Sequence, residues 1–292
     1  MSIVNNANPG SNILVISTID NYLISEQKKI SHETLKQHLR PDTLPKSDNA
    51  EKKFIENLSF WLERDLWSSE DDMIFLRPGD EKLALEYRLL QKIINAIPDK
   101  KSFLEGNGVE PFALYITCLL EQDRYTFAGG ERLFSGGTGN IVEALSPYAT
   151  LKRLPNSSEH KYLLDWATFI GFMEPDENSK YMLDPTRAIL PYLEQIFAQQ
   201  SSLYIQEFLQ ELGNYLPMFW EGRFVQYLTD ILGEPRQDHY QISAALSHAL
   251  CRLEAMNKIS LHRKSDDINA LQLYMPQRMT RPVSTISYRN AS

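Results

Sequence analysis

The stretch SGGTGN, Ser135 to Asn140, offers the local pattern best suited to holding a charged ligand. Glycines let backbone N–H groups converge on an anion, and a helix beginning near Ile141 would add its positive end, so the stretch could cradle a phosphate. A Walker A loop needs G-x-x-x-x-G-K-[ST] after a strand. Here Asn140 stands where the lysine belongs and no clear strand precedes, and the dinucleotide fingerprint fails too. His32-Glu33 with His38 approaches the zinc pattern H-E-x-x-H, but the second histidine falls six residues after the first instead of four. Pro41-Asp42 followed by Glu51-Lys52-Lys53 mimics a nuclease PD…(D/E)xK pattern. That chemistry holds its metal between carboxylates on adjacent strands, whereas these positions belong to a loop and a helix start. His160, His239, His248 and His262 show no ligand spacing. Cys118 and Cys251 lie in apolar helical contexts and are expected as small core residues, not as a disulfide or zinc framework. No nucleophile elbow is present. No catalytic, cofactor-binding or metal-ligating residue is nominated, and the chain is expected not to be an enzyme.

The elements that would position such residues come next. The 292 residues, 42% of them hydrophobic, suffice for two or three modules with buried cores. No apolar run approaches the roughly 20 residues that span a bilayer. The start MSIVNNANPG lacks the basic and apolar regions of a signal peptide, so a cytoplasmic location and no membrane contact are expected. Net charge is −8, which argues against an extended nucleic-acid surface. Its distribution is uneven: Leu246 to Ser292 carries seven basic and three acidic residues, a local +4 that leaves −12 on the remainder. One basic end on an acidic body is expected.

Helical spacing predicts a helix over Asn12–Ile24 and another opened by the capping hydroxyl of Ser31. A third runs from about Glu51 to Leu66, and Trp67–Leu76 reads as strand, turn, strand. Three helices followed by a hairpin make a winged helix. The pattern recurs twice. Pro111–Gln122, a helix from about Ile141 and one over Ser158–Ile170 lead into GFMEPDENSKYMLDP, the second hairpin. Leu203–Leu212, Phe219–Leu232 and Ile242–Met256 precede a third, in which Lys258–Arg263 would pair with Asn269–Leu273. The expected fold is mainly α with short β-hairpins, in multiple winged-helix-like modules. Their boundaries are 1–80, 81–195 (a helical segment and the second module) and 196–275, with a basic tail over 276–292.

In a winged helix the last helix enters the major groove with its polar face. On the first such helix Glu56, Ser59 and Glu63 centre that face, which would repel phosphates. On the second, Lys161, Asp165 and Thr168 share it. On the third, Ile242, Leu246, Ala249, Leu250 and Leu253 should be buried, leaving Ser243, Ser247, His248, Cys251, Arg252 and Glu254 outward. Only there do neighbouring segments add positive charge, so the candidate DNA-binding residues are Arg252, Lys258, Arg263, Lys264, Arg278 and Arg281. In the first module Phe60 falls on the polar side beside Glu56 and Glu63, and an aromatic rimmed by charge suits a protein interface.

The order of the MSIVNNANPG lead, WLERDLWSSEDDMIFL, FAGGERLFSGGTGN and GFMEPDENSKYMLDP resembles, over much of the chain, the DpdG proteins. These belong to bacterial gene clusters that place 7-deazaguanine derivatives in DNA and restrict unmodified DNA. The resemblance implies a non-catalytic accessory component of a defence assembly, with helicase, ATPase or nuclease partners. Duplex DNA is a further expected partner at the basic end. The competing readings are a transcriptional regulator, which would form a dimer on symmetric half-sites, and an enzyme holding a phosphorylated ligand on Ser135–Asn140. Purified protein is expected to hydrolyse no ATP and cut no DNA with added metal. Turnover that disappears when Gly136, Gly137 and Gly139 are replaced by bulkier residues would instead make that loop a ligand site.

Overall fold

Asn12 accepts the Val15 backbone N–H and so starts α1 (Ile13–Glu26), whose Ile16, Ile19 and Leu23 are buried. The computed structural model describes residues 2–5, 7–41, 48–122, 139–151, 154–177, 180–233, 240–265 and 267–289. After α1 come β1 (Ile30–Ser31), α2 (His32–Leu39), α3 (Asp48–Leu62), β2 (Ser68–Glu70) and β3 (Met73–Phe75). Ser31 accepts the Thr34 N–H at 3.1 Å, the expected cap. Asp71 and Asp72 turn the β2–β3 hairpin with φ of 48° and 64°, the positive angles a two-residue turn needs to match strand twist. The three strands pair antiparallel in the order β1-β3-β2.

The middle of the chain is helical: α4 (Leu85–Asn95), α5 (Lys100–Glu105), α6 (Glu110–Leu120), α7 (Gly139–Leu145) and α8 (Ser157–Ile170). The expected hairpin follows as β4 (Met173–Pro175) and β5 (Tyr181–Leu183). Gly171 ends α8 at φ +99°, and a Cβ there would lie 2.8 Å from the Arg187 Cβ, so glycine lets the next helix close onto the turn. That helix is α9 (Thr186–Ile189), followed by α10 (Leu193–Ile196).

The last third differs from the expected helix–hairpin–tail. It comprises β6 (Ser202–Tyr204), α11 (Ile205–Tyr215), α12 (Arg223–Leu232), α13 (Ala244–Ala255), β7 (Ile259–His262), β8 (Leu271–Tyr274), β9 (Thr280–Val283) and β10 (Thr285–Tyr288). β7 does not pair with β8. It pairs with β10, which also takes β6, giving the order β6-β10-β7, while β8 pairs with β9. Residues 276–292, expected as a basic tail, thus supply two strands, one of them central to a sheet. Pro282 is accommodated opposite Gln272 in a two-stranded ribbon. The first and third sheets share one order: the strand before the helices, the last strand, then the strand after the helices.

The buried side chains form one continuous cluster across all three regions. Trp61 and Trp166 lie 6.0 Å apart, and their indole N–H groups donate to the Gly10 and Ser11 carbonyls at 3.0 and 3.1 Å. The first module and α8 are thereby pinned to the N-terminal strap. Deeper still, Asp20 of α1 accepts from Trp67 Nε1 at 2.9 Å and pairs with Arg88 of α4. Their side chains are 2% and 3% exposed, so removing either leaves a buried charge uncompensated. Asp20→Ala is expected to cost about 3–5 kcal/mol, read as a lower denaturant midpoint at unchanged slope. A loss below roughly 1 kcal/mol would mean that water reaches Arg88.

Candidate nucleic-acid interface

Helix α13 buries the apolar side expected of it, with Ile242 just before it and Leu246, Ala249, Leu250 and Leu253 fully covered. Its polar side is also occupied by protein. Ser247, expected outward, is 0% exposed; its Oγ donates to the Ile242 carbonyl at 3.2 Å and accepts the Tyr274 N–H at 2.8 Å. The next residue, His248, has Nε2 3.3 Å from Asp184 Oδ2, and one turn further Arg252 Nη1 donates to that same oxygen. Arg252 also lies 3.8 Å from Glu174 Oε1. Glu254 accepts both guanidinium arms of Arg281, at 2.5 and 3.0 Å, and the Leu261 N–H at 3.0 Å. Cys251 Sγ sits 3.8 Å from Met275 Sδ.

Asp184 stands between β5 and α9, and its side chain is 0% exposed. Burial alone would raise its pKa above the ordinary 3.8, but hydrogen bonds from His248, the Thr186 hydroxyl and the Thr186 N–H outweigh it and hold the carboxyl well below that value. Glu254 is likewise lowered, first by Arg281 and then by the Leu261 N–H, while Arg281 is raised by Glu254. Of the candidate DNA-binding residues, Arg252 and Arg281 thus pair with carboxylates of the chain while keeping 42% and 38% of their side chains exposed. Lys258 is half-buried, Arg263 and Lys264 are exposed, and the Arg278 side chain lies outside the described residues. Lys264 Nζ sits 4.4 Å from the centroid of the Tyr204 ring and 3.4 Å from its hydroxyl.

Phe60 is not the exposed aromatic expected on α3. It is 9% exposed, packs edge-on against Trp61 at 5.2 Å and carries the Arg64 guanidinium 3.6 Å over its ring. The reason is Gly10: a Cβ there would fall 2.2 Å from Phe60 Cδ1, so the N-terminal strap closes over the ring. Glu63 remains exposed and Glu56 is partly covered near Lys52, 3.8 Å away. The exposed apolar residues nearby are Ile55 of α3, 46% exposed, and Leu14 of α1, 76% exposed.

The other chemical candidates are dispersed. His38 Nδ1 meets the Tyr22 hydroxyl, Glu51 pairs with Lys36 at 2.6 Å, and His160 is buried with Nε2 3.2 Å from the Pro155 carbonyl. Cys118 is buried, and burial pushes its thiol pKa up. Asp42, residues 135–138 and His239 lie outside the described residues. Sequence reasoning missed Asp184 as the organiser of this end. Its only sequence signal is the Asp184-Pro185-Thr186 run, which fits a carboxylate bonding the N–H two residues on.

A depressed carboxyl contributes stability above its unfolded pKa and loses it as pH falls through that region. Asp184→Asn is expected to lower stability by about 1–3 kcal/mol at neutral pH. The gap to wild type should narrow below about pH 4. A gap that widens under acid would contradict the inward pairing.

A family model described as DpdG-like matches residues 1–267. No curated protein and no solved structure matches the chain. Among the described residues no helix is long and apolar enough to cross a membrane.

Proposed function

The chain belongs to the DpdG-like family, and from that premise we propose a non-catalytic accessory subunit of a 7-deazaguanine DNA modification and restriction assembly. The family membership carries the assignment to that cluster. The modules are winged-helix-like: α1, β1, α2, α3, β2 and β3 in the sheet order β1-β3-β2 fit that topology, and β6, α11, α13, β7 and β10 repeat it with an added helix and a β8–β9 insertion. On the usual reading helix of the third module His248, Arg252 and Glu254 are engaged in pairs within the chain, with Arg252 still 42% exposed, which favours a scaffolding role over sequence-specific regulation. Helicase, ATPase or nuclease subunits are the expected partners. The exposed Leu14 and Ile55 replace Phe60 as the contact; their helices are joined where the Asn12 N–H donates to Asn57 Oδ1 at 3.0 Å.

Duplex DNA would meet Lys258, Arg263 and Lys264 through phosphates, which position without specifying sequence. Three such contacts give a salt slope of about −2.7, or roughly 40-fold weaker binding at 200 mM than at 50 mM salt. Anisotropy with a generic duplex is the test. Changing these three residues to Glu should abolish binding, whereas Arg252→Met should lower stability and leave affinity nearly unchanged. Salt-independent binding, or loss of affinity confined to Arg252→Met, would overturn this assignment. For the protein contact, Leu14→Asp with Ile55→Asp should abolish capture of the products of neighbouring genes while circular dichroism stays native; undiminished capture would remove that surface.

A further inference from the structure

The sheet β6-β10-β7 has two unlike faces. Tyr204 is paired with Thr285 and Thr285 with His262, while Ser202, Ser287 and Ser260 form a second row. Directly opposed residues point to the same side, and alternate residues along a strand share it. One side of the sheet therefore carries Ser202, Tyr204, Ser260, His262, Thr285 and Ser287. The other carries Leu203, Leu261 and Ile286 and is packed into the core, with Ile286 0% and Leu261 6% exposed.

The polar side holds no acidic residue at any paired position. Tyr204 is 52% exposed, and His262, across Thr285 in the same row, is exposed too. Cations stand at both ends. Lys264 lies against Tyr204 at one end, and Arg289 at the other bonds Ser260 Oγ and, at 3.3 Å, Asn257 Oδ1. Small hydroxyls between them, with Ser287 donating to Ser202 at 3.0 Å, leave the surface low and flat. The nearby carboxylate of Glu207 is engaged in capping α11, where it accepts the Tyr204 N–H at 3.0 Å.

An exposed ring on a flat, acid-free sheet with cations at its margins suits unstacked bases and their phosphates better than a duplex, whose bases offer no free face. We propose that this sheet face binds single-stranded nucleic acid, with a base stacked on Tyr204 and phosphates held by Lys264 and Arg289. The inference deepens the nucleic-acid contact assigned above to the C-terminal end. It shares Lys264 with that contact and differs in the strandedness of the ligand and in the use of Tyr204 and Arg289.

The probes are fluorescent 15-nucleotide oligo-dT and oligo-U and a 15-base-pair duplex, titrated with the full chain at 50 mM salt. At least one single strand should bind more tightly than the duplex. Tyr204→Ala should weaken that binding about tenfold, and Tyr204→Phe should retain it. Thr285→Glu, which sets a carboxylate in the middle of the face, should weaken it while the ring itself is kept. A single strand that binds Tyr204→Ala and Thr285→Glu as well as wild type, or a duplex preferred over both strands, would overturn the proposal. So would the absence of single-strand binding by wild type. Duplex binding that still requires Arg263 in that event would leave the duplex contact standing on its own.

Discussion

A carboxylate with no exposed surface stays ionised only if donors replace the water it has lost. Asp184 meets that requirement with Thr186 on its own turn and with His248 and Arg252 from α13. The donors come from a helix about 60 residues further along the chain, so the constraint is tertiary and fixes α13 against the β4–β5 hairpin. It is one of the contacts that orient the last third of the molecule, beside Lys100–Asp230 and Arg223 on the Ile94 carbonyl. With His248 and Arg252 turned toward Asp184, and Ser247 toward β8, the opposite side of α13 is committed to the apolar core.

What this leaves outside determines the surface chemistry. Two bases of the C-terminal end are engaged by carboxylates within the chain, Arg252 by Asp184 and Arg281 by Glu254. Glu254 acts in both directions, orienting Arg281 and accepting the Leu261 N–H, so it ties α13 to β7. The remaining free cations lie at strand ends and turns, not along a helix. A nucleic acid approaching this end meets the sheet and its margins first. The same logic applies in the first region, where Asp20 and Arg88 join α1 to α4 out of solvent and the N-terminal strap covers Phe60.

Several helices were legible because their signals are local: Ser31 as a cap, and apolar spacing on α1, α8 and α13. The two-residue Asp71-Asp72 turn made β2 and β3 legible in the same way. The pairing of β7 was not, because its partner β10 lies beyond an inserted ribbon and register between distant strands leaves no local trace. Phe60 was misplaced because helical rotation gives its side of α3 but says nothing about a strap from Gly10. Net charge treats every base alike and so gave no sign that Asp184 and Glu254 engage Arg252 and Arg281. The family resemblance, by contrast, lay in the order of segments along the chain and did not depend on any of these contacts.

The inward pairing of α13 is tested most directly by a double-mutant cycle of Asp184→Asn and Arg252→Met, measured by urea unfolding of the full chain. Paired residues should give a coupling energy of about 1–3 kcal/mol, with the double variant losing less than the sum of the single ones. Additive losses within about 0.3 kcal/mol would show that Arg252 does not depend on Asp184, and α13 would again be free to present its polar face to a ligand.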